Sequence, residues 1–204
     1  MCVFEETDSL AKKWGQVIQL PLANSSERLQ VSDVAASLSL EYWESVRLLL
    51  RDDLLPSAVV LHRAQFEAIT RSLWLAYAAS DTQVSKLTVH LSFESEQAAK
   101  NMPQVMKMME SLEKSGPHEA FSALARFKDN SWKALNSYAH AGVHPISRHR
   151  DGYPTELLQD VLRNANGLAL ISCMHAVVLS GQQTLQRDLL QIAAEYPECM
   201  PPPL

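Results

Sequence analysis

The chain has 204 residues, 47% of them apolar and 20% charged, which suits a folded globular chain and excludes a disordered one. The length fits one domain, expected over residues 1–200 with a Pro-rich tail at 201–204. A formal net charge of −5 gives no overall attraction to nucleic acid or to an anionic membrane, so neither DNA nor a membrane is an expected partner, and six glycines argue against the many tight turns of an all-β fold.

The first predicted helix runs from about Thr7 to Leu20, with Leu10, Trp14, Val17 and Ile18 on one face and Pro21 as its stop. Asn24-Ser25-Ser26 reads as a loop and cap. A second helix follows from about Glu27 to Leu54, with an apolar stripe of Val34, Leu38, Tyr42, Val46 and Leu49. Pro56 suits the first turn of a third helix, about Ser57 to Ala79. That helix, SAVVLHRAQFEAITRSLWLAYAA, is apolar nearly all round and is expected at the centre of a bundle.

Ser80-Asp81 supplies the next cap. The region Asp81 to Lys114 is amphipathic but interrupted, with a kink or new helix expected at Pro103. Met102, Met106, Met108 and Met109 gather here and are read as flexible core filler. Gly116-Pro117 opens a fifth helix, about His118 to Ala139, which ends at Ala141-Gly142, where glycine suits a left-handed cap. Val143 to Gly152 reads as a basic loop. A sixth, strongly apolar helix covers about Thr155 to Ser180. Gly181 ends it, and a short last helix reaches Tyr196. No pair of segments carries strand alternation with a hairpin signal. The expected fold is therefore all-α, a single-domain bundle of about six to seven helices.

Cys2, Cys173 and Cys199 are odd in number and share no short spacing. They read as free thiols in a reducing compartment, not as a disulfide framework or a zinc site. Glu5, Glu6 and Asp8 stand where a secretory signal needs basic and then apolar residues. The most apolar stretch, Gly167 to Leu179, is shorter than a bilayer requires. Cytoplasmic localisation is expected.

Two polar constellations stand out. Arg63, Glu67 and Arg71 are spaced i, i+4, i+8 on the third helix and so form one row. That helix has few polar residues to turn outward, so at least Arg63 and Glu67 are expected to be partly buried and to need partners. The row is a packing ion pair, a ligand site in which arginine holds an anion or a base, or a surface feature. A packing pair predicts a loss of several kcal/mol on Glu67→Ala.

The second constellation is Asn136, Ser137, Tyr138, His140 and His144, in LNSYAHAGVHP. Asn136 and His140 share a face at the end of the fifth helix. A histidine there caps the helix C-terminus, or binds a ligand or moves a proton. No metal is expected, because no Asp or Glu lies at ligand spacing. The basic run HPISRHR, residues 144–150, is a solvated segment or a contact for an RNA backbone. No Gly-rich phosphate loop, GxSxG, CxxC or HExxH pattern occurs, and no cofactor is expected.

LHRAQFEAITRSLWLAY (Leu61 to Tyr77) and LNSYAHAGVHPISRH (Leu135 to His149) together resemble bacterial helical families of unknown function. Those families look like distant relatives of the HEPN superfamily of helical nucleotide- and RNA-associated domains. The resemblance implies a compact, often dimeric bundle of the kind found in toxin–antitoxin and phage-defence systems, where many members are metal-independent ribonucleases. Their motif places a histidine a few residues after an arginine. Here Arg63 is followed next by His90, Arg126 by His140 and Arg148 by the adjacent His149. A catalytic site would have to join Arg63 or Arg71 to His140 from separate helices.

Three functions follow. The first is a non-catalytic ligand- or partner-binding module, with Arg63, Glu67, Arg71, Asn136, His140 and His144 lining its site. The second is a ribonuclease or nucleotide-modifying toxin, with arginine stabilising phosphate charge and His140 as general acid or base. The third is a structural homodimer joined through the sixth helix.

Overall fold

The computed structural model describes residues 3–202, so Cys2 and the end of the proline tail lie outside the described residues. The described chain is all-helical. Its helices are α1 (Val3–Val17), α2 (Glu27–Arg51), α3 (Leu55–Tyr77), α4 (Asp81–Ser85), α5 (Phe93–Ala99), α6 (Val105–Ser115), α7 (His118–Ala139), α8 (Val143–Asp151), α9 (Thr155–Leu179) and α10 (Gln186–Ala194). Short 3-10 turns lie at Gln183–Leu185 and Pro197–Cys199. Among the described residues, ten α-helices replace the expected six or seven. The interrupted fourth region is three separate helices, and the basic loop is helical.

Local chemistry accounts for several helix ends. The Ser26 side chain accepts a hydrogen bond from the Leu29 amide and caps α2. Pro56 stands in the first turn of α3. Ser80 and Gln83 form a capping box on α4, in which each side chain satisfies one orphan amide. Gly181, at φ 77°, stops α9. The α7 terminus departs from expectation. Ala141, not Gly142, takes the left-handed position, at φ 49°. Gly142 is extended instead, and glycine suits the position because a Cβ there would sit 2.7 Å from Ser137 Oγ. That hydroxyl accepts the His144 amide at 3.1 Å, which turns the chain directly into α8.

Four long helices form the frame. Ser32 pairs with Ser72, and Ser39 with the Gln65 carbonyl, so α2 and α3 are antiparallel. Trp43 meets Asn166, Ser39 meets Ser172 and Ser32 meets His175, so α9 is antiparallel to α2. His62 and Phe66 pack on Phe127, and Phe66 also on Trp132, while α3 also meets α6. The result is an up-down-up-down bundle of α2, α3, α7 and α9, with α3 buried at its centre as its composition predicts.

The buried face of α2 follows the expected stripe only in part, with Val46 buried and Tyr42 and Leu49 half-buried. Val34 and Leu38 are exposed, and the core side carries Ser32, Ala35, Ala36, Ser39, Trp43, Val46 and Leu50. Small residues let α3 approach closely. Their hydroxyls find partners at once: Ser32 Oγ donates to the Ser72 carbonyl at 2.9 Å, and Ser72 Oγ donates to the Ser32 carbonyl at 2.6 Å. Packing distance, not side-chain apolarity, chose this face.

Both chain ends are tied to α9. Buried Asn166 accepts from Trp43 Nε1 at 2.8 Å and donates to Thr7 Oγ1 at 3.1 Å and to the Cys199 carbonyl at 2.8 Å. One amide thus joins α1, α2, α9 and the C-terminal turn. Pro201 lies against Gly167, where a Cβ would come within 3.0 Å of the proline ring, so this part of the tail is seated on α9. The apolar stretch from Gly167 belongs to a 25-residue helix whose length and composition suffice to cross a bilayer. Half of its most apolar window is buried inside the bundle, as in a core helix.

Candidate functional site

Arg63 and Glu67 form the expected pair, Nε to Oε1 at 2.8 Å. Their side chains remain 23% and 35% exposed, so this is a half-buried pair. The Arg63 guanidinium also lies 4.9 Å over the Trp132 ring, which braces α3 against α7. Arg71 is half-buried and makes no ion pair among the described residues.

Asn136 lies one turn beyond Trp132, and His140 caps α7 with an exposed side chain. His144 is exposed in the first turn of α8. Among the described residues, no hydrogen bond or ion pair joins this group to Arg63, Glu67 or Arg71. Because α3 and α7 are antiparallel, Arg71 and His140 diverge from the Arg63–Trp132 contact in opposite directions. Each is two turns away, roughly 12 Å along its helix axis. Among the described residues, no group of three His, Cys, Asp or Glu side chains could hold a metal.

The polar interior lies elsewhere. Gln65 Nε2 donates to the Ala165 carbonyl at 2.9 Å, which leaves its Oε1 to accept from His62 Nδ1 at 3.0 Å. Nδ1 therefore carries the ring proton. Burial pulls the His62 pKa down to about 4, against the Gln65 hydrogen bond, which favours the charged form. His175 Nε2 lies 2.9 Å from Ser32 Oγ. The same hydroxyl lies 2.9 Å from the Ser72 carbonyl, so the α2–α3 serine pair also holds the ring on α9. Burial pulls the His175 pKa to about 4 as well, and pushes the Cys173 thiol up to about 12.

The fourth seam of the bundle, between α7 and α9, is open. Helices α2, α3 and α9 close on one another through serines and alanines, and α3 meets α7 through aromatic rings, so α7 is held away from α9. A cavity of about 970 Å³ fills the gap. Leu73 and Tyr77 of α3 form its floor. Ala120, Ala123 and Phe127 line one wall, and Leu168, Ile171, Met174 and Val178 the other. Met200, Pro201 and Pro202 form part of the rim. His175 also borders the cavity while only 3% exposed. Its Nδ1 has no hydrogen-bond partner among the described residues.

None of the six residues singled out from the sequence lines this groove. Its polar members, Arg126 and His175 among them, carried no spacing signal. The legible clue was α9 itself, apolar nearly all round. Periodicity does not say which of its seams a neighbour leaves uncovered.

Fold and groove together define a helical bundle with one open, largely apolar seam. The chain belongs to the family of unknown function DUF6988, whose model matches residues 36–202. The matched span takes in α3, α7 and α9 and thus both walls of the groove. No curated protein and no solved structure matches the chain.

Proposed function

We propose that the protein is a non-catalytic binding module whose site is the α7–α9 groove and whose ligand is largely apolar. The cavity volume carries this reading. At about 970 Å³ it lies at the upper end of the range for small-molecule sites, which are concave, mostly apolar and furnished with a few polar groups. Methionines on its wall and rim, Met174 and Met200, suit an adaptable apolar surface. Residence in the cytoplasm is part of the proposal, and Cys173 and Cys199 as buried free thiols agree with it.

The test is binding of the solvatochromic dye Nile red to the full chain. Wild type should bind it with a blue-shifted emission, and Ala123→Trp, which fills the groove from the α7 wall, should lose at least tenfold in affinity while keeping a cooperative thermal transition. Equal binding by the two proteins, or no binding by wild type, would refute the reading.

A second reading is the homodimer, favoured by the same half-exposed apolar wall of α9. Ala123→Trp would then shift the gel-filtration mass from dimer to monomer. The ribonuclease reading has less support, since an exposed His140 stands well apart from both candidate arginines.

A further inference from the structure

Six titratable side chains border the groove: Tyr77, Glu119, Arg126, Asp160, Arg163 and His175. Arg163 is committed elsewhere. Its NH1 lies 3.1 Å from Asp160 and its Nε donates to the Glu198 carbonyl at 2.9 Å, with the Glu198 carboxylate at 3.9 Å. Asp160 is thereby neutralised too. Glu119 is exposed in the first turn of α7, two turns and roughly 10 Å along the axis from Arg126. His175, with its pKa near 4, is neutral at physiological pH. Arg126 remains. It is half-buried, stands on the α7 wall between Ala123 and Phe127, and makes no ion pair or hydrogen bond among the described residues.

A half-buried guanidinium beside apolar walls is a ready partner for one anionic group, because charge-assisted hydrogen bonds strengthen where water is partly excluded. The rest of the lining adds neutral polar groups, Asn130, Ser131, Gln183 and Gln186 among them, but no second unpaired cation among the described residues, so a second negative charge on the ligand would find no ion-pair partner. The groove also runs along the helices. From Ala120 to Asn130 its α7 wall extends roughly 15 Å, which favours a long body over a compact one.

We infer that the groove takes an elongated apolar monoanion, a long-chain carboxylate, with its headgroup on Arg126 and its chain between Ala123, Ile171 and Met174. This rests on the groove being the binding site.

The experiment is displacement of Nile red from the full chain by dodecanoate and by dodecanol, in wild type, Arg126→Gln and Arg126→Lys. Wild type should prefer the acid by roughly tenfold to a hundredfold, the range of a hydrogen-bonded charge contact. Arg126→Gln should bring acid and alcohol within about twofold by weakening the acid alone, and Arg126→Lys should retain most of the preference. Equal affinity for acid and alcohol in wild type, or a preference that survives Arg126→Gln, would overturn the assignment and leave the groove standing. Absence of dye binding to every protein would remove the groove itself.

Discussion

Lowering the pH from 7 to 5 should weaken the bundle through His62 and His175. Both are buried and neutral, with folded pKa values near 4 against about 6.5 in the unfolded chain. The unfolded chain binds protons that the native interior refuses, so stability rises with pH across this window. The contribution is fully present above pH 6.5 and is lost as the pH falls towards 4. At pH 5 an unfolded histidine is almost wholly protonated and a buried one about one tenth so, which costs about 2 kcal/mol per residue relative to pH 7. Two residues give about 4 kcal/mol, a large part of the 5–15 kcal/mol typical of a domain.

Two carboxylates belong in the same account. Burial works to raise the pKa of Asp8, but hydrogen bonds from Arg47 and Arg51 win and hold it low, so its stabilisation fades only below this window. Burial raises that of Asp33, which gives an opposite slope that histidine variants leave unchanged. The assay is urea unfolding at pH 7, 6 and 5 of wild type and of the His62→Gln/His175→Gln double variant. The variant should lose more than half of the pH dependence. An equal dependence in both proteins, or a wild type as stable at pH 5 as at pH 7, would refute the reasoning.

Two further substitutions test the frame. Asn166→Ala strands the Trp43 indole N–H and the Cys199 carbonyl in the interior and frees Thr7, so it should cost about 3 kcal/mol or more. A thermal melt within 1 °C of wild type (roughly 0.3 kcal/mol or less at this chain length) would remove Asn166 as the link between the chain ends. Glu67→Ala should cost only about 1 kcal/mol, because the pair is half-exposed and Arg63 keeps its seat on Trp132. Chemical denaturation showing a loss of several kcal/mol would restore the packing ion pair as a major support of the fold.

The class of fold was legible in the chain because helix formation is a local matter. Apolar periodicity, the serines at positions 26 and 80, Pro56 and Gly181 all act within a few residues of themselves, and their predicted consequences appear where expected. The α7 span was read to the residue. What failed also had local causes of the wrong kind. Val34 and Leu38 look like core by spacing, yet α3 chose the serine and alanine face of α2, since only small residues allow so close an approach. The segment after Gly142 looked like a loop by composition, yet Ser137 captures the His144 amide and starts a helix there.

The Arg63–Glu67 pair could be read from the sequence because i, i+4 partners share a helix face whatever surrounds them. Its partial burial was legible too, since the helix around it is apolar, but the seat of Arg63 on Trp132 was not, because that depends on where a distant helix comes to rest. The same holds for Asn136 and His140. Helix order suggested that they meet the arginines, and the antiparallel course of α3 and α7 carries them away from Arg71. The groove is wholly a product of tertiary structure. The sequence by itself determined that α9 would be apolar and α3 central. Only the packing decided that α7 would be held away from α9 by aromatic rings against α3, leaving one seam of the bundle open beside Arg126.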